Sequence, residues 1–130
     1  MVRYSGDDFY CDVAIPRREP IDVVLEDDDV LAFHHTRPFW PVHLVVIPKR
    51  HVDSLLTLDD PVLASRLLQA VQHTADGVLK ANGAASVMTN LGNYQDSKHL
   101  HFHVRSGPPL ASTPETLEPR SLTLDLGSGR

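Results

Sequence analysis

The chain has 130 residues, of which 42% are hydrophobic and 22% charged, with a formal net charge of −5. This composition predicts one soluble globular domain, and the acidic balance argues against nucleic-acid binding, because nucleic-acid binders usually present a basic face. The single cysteine excludes an internal disulfide and suits a reducing compartment. We find no signal peptide and no apolar run of about 18 residues, so we expect a cytoplasmic protein that does not bind a membrane.

Five short apolar runs, each bounded by turn residues, predict β-strands. Between the third and the fourth run, apolar residues recur at helical spacing over residues 63–79, which predicts one long helix. Asp60 and Pro61 are typical of a helix start, and Asn82 and Gly83 of a helix end. The five predicted strands span residues 21–26, 30–33, 43–48, 85–91 and 99–104.

The order of these elements predicts an α+β fold, with an antiparallel sheet of about five strands and one long helix on a face. Ser5 and Asp8 are spaced as in a capping box, which adds a short N-terminal helix. We expect a single domain over residues 1–105. Residues 106–130 begin with a proline-rich stretch that predicts an extended tail, in which the alternating residues 121–126 could add an edge strand.

Three of the eight histidines, His99, His101 and His103, occupy alternate positions in the last predicted strand. Alternate residues share one face of a strand, so we expect the imidazoles on an open face and the intervening apolar residues in the core. The Cα atoms of the outer pair are separated by roughly 13 Å, which argues against one zinc bound by all three and leaves two histidines with a distant ligand as an alternative. Imidazole is also a good nucleophile, and its neighbours could contact phosphoryl oxygens or protonate a leaving group. A solvated strand face without function is the remaining interpretation.

Residues 99–104, His-Leu-His-Phe-His-Val, resemble the signature of the histidine triad (HIT) family. The match continues in the same order elsewhere: residues 25–33 resemble the first hairpin of the family, 41–56 its central segment and 90–95 its phosphate-side loop. The resemblance extends over about residues 8–105. It implies a HIT-like fold, a homodimer and a nucleotide or nucleotide-like ligand, with no required cofactor.

The resemblance also implies roles for individual residues. His101 would attack the α-phosphorus of a nucleoside phosphoramidate or a dinucleoside polyphosphate and form a nucleotidyl-histidine that water then resolves. His99 and His103 would assist at the phosphate, and His43 would support His101 from the neighbouring strand. The implied enzyme is a nucleotidyl hydrolase with phosphoramidase activity. Its implied substrate-binding residues are Asn90, Gln95, Ser97, Phe33, His34 and His35.

Three positions near the expected ligand depart from the family pattern. His35 stands where the family usually has a ribose-binding aspartate, Val42 replaces a small residue, and Asp96 stands where Ser or Thr is usual. Either Asp96 points away and Ser97 takes its place, or the ligand is not an ordinary nucleotide. Two alternatives to the hydrolase follow: a nucleotide-binding module with little turnover, and a member that acts on a non-nucleotide substrate.

Many bacterial members of the family hold a structural zinc near the N-terminus through Cys-x-x-Cys and histidines. Here the same spacing gives Asp8 and Cys11, with His51 as the downstream match. Aspartate can ligate zinc, although cysteine is the stronger ligand. A lone cysteine more commonly behaves as a small buried hydrophobe, so these three residues are zinc candidates and the metal is not favoured.

Overall fold

The structure, a computed structural model, describes residues 6–110 and confirms the predicted α+β fold. Its five strands pair only in the antiparallel sense and form one sheet of order β1-β2-β3-β5-β4. Within the described residues no helix has both the length and the apolar character that a membrane crossing requires. The strands are β1 (Val23–Glu26), β2 (Val30–His34), β3 (Val42–Pro48), β4 (Ser86–Met88) and β5 (Phe102–Ser106).

The one long helix, α1 (Pro61–Asn82), begins and ends where the sequence predicts. The Asp60 carboxylate accepts hydrogen bonds from the backbone N–H groups of Val62 and Leu63, which would otherwise lack intrahelical partners. At the other end Gly83 adopts a φ of 82°, a left-handed conformation that costs glycine little.

The two faces of the sheet carry different structures. One face packs against α1 and includes Leu44, Val46 and Val104 in a shared core. The opposite face contributes Val45 and Ile47 to a second core, closed by a short π-helical turn at Tyr10–Ala14. Because side chains alternate along β3 and β5, His43 and His103 share the face that the N-terminal turn covers.

Several predicted boundaries differ from the structure. The run at 85–91 pairs as a strand only over Ser86–Met88, and the run at 99–104 pairs only from Phe102 onward. The reason is that residues 99–101 form hydrogen bonds with other groups. The N–H of Leu100, for example, donates to the carbonyl oxygen of Val52. The predicted short N-terminal helix is the turn at Tyr10–Ala14. In this turn the Asp8 carboxylate accepts a hydrogen bond from the backbone N–H of Cys11. Ser5 and the tail residues 121–126 lie outside the described residues.

The prediction of an open histidine face is wrong. His99, His101 and His103 are only 0%, 4% and 7% exposed. The ring of Tyr10 in the N-terminal turn packs 5.7 Å from His99 and 5.0 Å from His101, between ring centroids. Alternation along the strand identifies which side chains share a face, but it carries no information about what covers that face.

Candidate active site

A cavity of about 300 Å³ lies on the sheet face opposite α1. His101 and His103 line it, together with His35 from the loop after β2. A concave, partly apolar site with a few convergent polar groups is the usual form of a small-molecule site, and aromatic walls suit a flat ring such as a base. Its aromatic lining consists of Phe9, Tyr10, Phe33 and Phe39.

His101 is held in one tautomer by the backbone. Its Nδ1 lies 2.7 Å from the carbonyl oxygen of His99, and because a carbonyl can only accept, Nδ1 carries the hydrogen. The Nε2 lone pair is then free in a residue that lines the cavity. Burial lowers the pKa of His101, and the hydrogen bond to His99 opposes this only in part, so the ring is neutral at neutral pH. A neutral, oriented imidazole is a competent nucleophile.

His43 and His103 form a second oriented pair. The backbone N–H of Phe39 donates to Nδ1 of His43 at 3.1 Å, so the hydrogen of a neutral His43 is on Nε2. That Nε2 lies 2.8 Å from Nδ1 of His103, which must accept and therefore carries its own hydrogen on Nε2. Burial is the main reason that the pKa of each falls to about 3. The structure thus joins His43 to His103, whereas the expected partner was His101.

His99, whose implied role at the phosphate stays a prediction, is oriented by the backbone of β3. Its Nε2 donates to the Pro48 carbonyl oxygen at 2.7 Å, which leaves the Nδ1 lone pair free. This Nδ1 lies 3.3 Å from the Cys11 sulfur and 3.3 Å from the Asp8 carboxylate. His99 does not line the cavity. We therefore assign it to the predicted zinc candidates, as a ligand that the spacing argument did not include.

The four side chains of Asp8, Cys11, His51 and His99 offer ligand atoms that all lie within 4.8 Å of one another. Ligand atoms around a tetrahedral zinc are separated by roughly 3.4 Å, given bond lengths near 2.1 Å. The Cys11 sulfur is close to this separation, at 3.3 Å from His99 Nδ1 and 3.7 Å from His51 Nδ1. His51 Nδ1 and the Asp8 carboxylate are only 2.6 Å apart, so these two atoms would have to move apart when zinc binds.

The surroundings of these side chains also suit a metal. His51 Nε2 lies 2.7 Å from the Asp53 carboxylate, and His99 Nε2 donates to Pro48, so both rings are oriented with Nδ1 inward. Burial and the nearby Asp8 raise the pKa of the Cys11 thiol to about 11, and a bound cation would reverse this. Sulfur, two imidazoles and a carboxylate are a donor set that zinc accepts, so the residues fit the metal.

Asp96 and Ser97 both lie at the cavity wall. Burial is the main cause of the raised pKa of Tyr10, and the charge of Asp96 raises it further. Burial lowers the pKa of His101, and the charge of Asp96 opposes this effect. Because Ser97 lines the cavity as well, both alternatives for Asp96 stay predictions. Ser97 Oγ accepts the backbone N–H of Phe9 at 3.1 Å and so anchors the N-terminal turn.

Three residues implied for substrate binding lie outside the cavity lining, namely Asn90, Gln95 and His34. Gln95 is buried, and its Nε2 donates to the Asp53 carbonyl oxygen at 2.7 Å. His34 is exposed, and the alternation along β2 directs it to the face that carries α1. Phe33 and His35 do line the cavity, as the resemblance implies.

Tyr10 had no role in the sequence-based prediction, although the structure places it between His99 and His101. The adjacent aromatic pair Phe9-Tyr10 was a signal for burial, but it did not indicate which face the pair would cover. The hydrogen bond from the Phe39 backbone N–H orients His43, but it does not depend on the residue type and could not be predicted from the sequence.

Comparison with known proteins identifies the family of this chain. Residues 17–109 match the family model of the HIT domain. An uncharacterised HIT-like protein of Synechococcus elongatus is 39% identical over 104 residues, which cover 77% of this chain and 91% of that protein.

Two solved structures show the same fold. One is a HIT-like protein from Bartonella henselae, described as involved in cell-cycle regulation, with a TM-score of 0.69 and 32% identity over 80% of this chain and 78% of its own. The other is a HIT family hydrolase from Legionella pneumophila, with a TM-score of 0.63 and 28% identity over 77% of this chain and 92% of its own. From the family-model match and these relatives, the chain belongs to the HIT family.

Proposed function

We propose that this protein is a nucleotidyl hydrolase that cleaves nucleoside phosphoramidates at the α-phosphorus through a nucleotidyl-histidine. The observation that carries the proposal is the orientation of His101. Its Nδ1 hydrogen is committed to the His99 carbonyl oxygen at 2.7 Å, so the Nε2 lone pair is available in a cavity with aromatic walls. The relationship to HIT family hydrolases supports the same reaction class.

Two histidines of the cavity, His101 and His103, act in this mechanism. His101 Nε2 attacks phosphorus, a P–N bond forms to the ring, and the P–N bond to the leaving amine breaks. The amine takes a proton from solvent as it leaves, while the hydrogen on Nε2 of His103 donates a hydrogen bond to a phosphoryl oxygen. A water molecule then adds its oxygen to phosphorus and gives up a proton to solvent. This step breaks the bond between phosphorus and His101 and releases the nucleoside monophosphate.

The charge of the cavity favours phosphoramidates over dinucleoside polyphosphates. Among the described residues, Asp7, Glu19 and Asp96 lie at its wall, against a single cationic side chain, Arg37. A polyphosphate tail would bring further negative charge next to these carboxylates, and like charges at short range repel. A departing amine carries no negative charge and is protonated as it leaves, so the same carboxylates tolerate it.

A nucleotide-binding module with little turnover is the second candidate, and the same carboxylates favour it. Asp96 lies close enough to His101 to influence its pKa, so it would also weaken the approach of any phosphate. This candidate predicts binding of a nucleoside monophosphate without cleavage of the phosphoramidate.

The test is hydrolysis of adenosine 5′-phosphoramidate by the purified protein, beside His101→Ala and His73→Ala variants. His73 is exposed on α1 and serves as the matched control. We expect turnover in the parent and in His73→Ala, its loss in His101→Ala, and a nucleotidyl adduct on the His101 peptide after rapid acid quenching. Binding without turnover would establish the module, and neither binding nor turnover would point to a non-nucleotide substrate.

We also propose zinc as the occupant of the Asp8, Cys11, His51 and His99 cluster. Bound there, the ion would supply structural cross-linking between the N-terminal turn and the segment that precedes β5. The donor set and the inward orientation of both imidazoles support this assignment. Metal analysis of protein purified without chelator should find one zinc per chain.

We further propose a homodimer that forms through β4 and the exposed side of α1. β4 is the last strand of the sheet, and its Val87 is 44% exposed. Large apolar residues of α1, such as Leu68 and Leu79, are also exposed. An edge strand with an apolar side chain is a ready site for pairing with a second copy. Light scattering should give a dimer that Val87→Lys separates, whereas Val24→Lys, equally exposed on the opposite edge strand, should leave it intact.

A further inference from the structure

A second group of three side chains has the proximity of a metal site. His35, His43 and His103 each offer a ring nitrogen, and these nitrogens lie within 4.8 Å of one another. Three imidazoles around an open position form a familiar catalytic zinc site. A metal can bind an imidazole nitrogen only through its lone pair, so the positions of the ring hydrogens decide what this group binds.

Backbone N–H groups determine those positions. The Arg37 N–H donates to Nδ1 of His35 at 2.9 Å, and the Phe39 N–H donates to Nδ1 of His43 at 3.1 Å. A neutral imidazole carries one hydrogen, which must then be on Nε2 in both rings. His43 passes its N–H to Nδ1 of His103, so His103 also carries its hydrogen on Nε2. The group therefore presents N–H donors, which suit an oxygen acceptor and oppose a cation.

The donors are uncharged and held in place. Burial, followed by the charge of His101, lowers the pKa of His35 to about 4, so the ring is neutral at neutral pH. The ring of His35 stacks on that of His43, with centroids 4.3 Å apart and an interplanar angle of 19°. The stack and the bond from Arg37 together restrict rotation of the His35 ring.

We propose that His35 is a further catalytic residue whose Nε2–H, together with that of His103, donates to one non-bridging oxygen of the phosphoryl group that His101 attacks. This inference rests on the proposed function. Both residues line the cavity beside His101, and the centroids of their rings are 6.0 Å apart with an interplanar angle of 26°. Two donors that share one oxygen at about 2.9 Å each must lie within roughly 5.8 Å of each other, a separation that rings at this centroid distance can meet.

The consequence is a neutral oxyanion site in a cavity with little positive charge. Negative charge grows on the non-bridging oxygens as His101 approaches phosphorus, and preorganised donors stabilise that charge in the transition state. His35 then compensates for the repulsion by nearby carboxylates such as Asp96. His35 donates to an oxygen of the reacting phosphoryl group, so it affects the rate of the chemical step more than it affects substrate binding.

The test uses adenosine 5′-phosphoramidate and its two phosphorothioate diastereomers, each with one non-bridging oxygen replaced by sulfur, a poor hydrogen-bond acceptor. The variant is His35→Phe, which keeps a flat ring for the stack on His43 but lacks the N–H. We expect kcat for the oxygen substrate to fall about 10²-fold, with little change in KM. We also expect the parent protein to discriminate against one diastereomer and His35→Phe to lose most of that discrimination.

The matched control is His73→Phe, because His73 is an exposed histidine on α1, across the sheet from the cavity. It should leave kcat and the diastereomer preference unchanged. An unchanged kcat in His35→Phe, or a lower kcat with the same diastereomer preference, would overturn the proposal. So would the loss of one bound zinc per chain in His35→Phe, since that would show that these rings hold a metal.

Failure of the proposed function would be distinguishable. If the parent protein shows no turnover of any of the three substrates, the hydrolase proposal fails, and the His35 proposal is then judged by binding of adenosine 5′-monophosphate. A donor to the phosphoryl oxygen predicts a Kd that rises about tenfold in His35→Phe. Equal affinity in the two proteins, or no affinity in the parent, would reject the donor role.

Discussion

The carbonyl oxygen of His99 accepts a hydrogen bond from Nδ1 of His101 at 2.7 Å, while the imidazole of the same His99 lies 3.3 Å from the Cys11 sulfur. One residue thus joins the proposed zinc-ligand cluster to the proposed nucleophile. The position of its backbone sets the tautomer of His101, and the position of its side chain depends on the N-terminal turn. The stability of the cluster and the orientation of His101 are therefore physically linked.

The first prediction concerns the ligands of the cluster. Cys11→Ala should abolish stoichiometric zinc binding and lower Tm, because one anchor of the N-terminal turn is removed. Asp8→Cys should do the opposite and tighten zinc binding, since thiolate is the stronger ligand. Zinc competition with a chromophoric chelator measures both. Equal zinc affinity in the parent and in Cys11→Ala would contradict the assignment.

The second prediction concerns pH and stability. The folded pKa values of His35, His43 and His103 lie near 4, 3 and 3, below the value of 6.5 expected in an unfolded chain. The unfolded chain binds protons first as pH falls below about 6.5, so the free energy of unfolding decreases toward pH 5. Each group contributes about 1–2 kcal/mol over this range, whereas His51, with its raised pKa, acts in the opposite direction.

Urea unfolding at pH 7 and pH 5 measures this effect in protein freed of metal. His35→Phe removes one of the three titrating rings and should show a smaller loss of stability between the two pH values. A free energy of unfolding that is equal or higher at pH 5 would show that these imidazoles are not buried in the neutral form.

The third prediction concerns the start of α1. Asp60→Ala should lower the free energy of unfolding by about 1 kcal/mol, because the N–H groups of Val62 and Leu63 lose their side-chain acceptor. The neighbouring Asp59→Ala is the control, since Asp59 is exposed and makes neither bond. Chemical denaturation of the two variants should separate them clearly, and equal stabilities would contradict the capping role.

Features with a local cause could be predicted from the sequence. The helix bounded by Asp60 and Gly83 is an example, because capping depends on residue types within one turn. The alternation around His101 and His103 is another, because Phe102 and Val104 do face the core under α1. Family resemblance added the placement of Phe33 and His35 at the cavity.

Features with a distant cause could not be predicted. The direction of His99 depends on Asp8, which is 91 positions away along the chain. The partner of His43 depends on the register of β3 against β5, which pairs Val45 with His103. The tautomers depend on backbone N–H groups that every residue except proline carries. Spacing alone contains none of these relationships.

The fourth prediction concerns His43, which we place behind His103. His43→Phe removes the donor to His103 Nδ1, so the His103 ring can adopt the tautomer that lacks a hydrogen on Nε2. We expect kcat for adenosine 5′-phosphoramidate to fall about 10²-fold with little change in KM. Trp40→Phe is the control, because Trp40 packs edge-on against His43 but takes no part in the two hydrogen bonds of the His43 ring. Proton-detected ¹⁵N spectra of the imidazoles should show the altered tautomer of His103.

The fifth prediction concerns Gln95, which the family resemblance assigns to the substrate. In the structure Gln95 is 6% exposed, and its side chain ties the loop before β5 to the Asp53 carbonyl oxygen. Gln95→Ala would leave that acceptor unpaired in a partly buried setting, at a cost of about 1–3 kcal/mol in the free energy of unfolding. KM should stay near that of the parent protein, because no contact with substrate is lost. A large rise in KM with unchanged stability would show that Gln95 moves into the cavity when substrate binds, contrary to its buried position here.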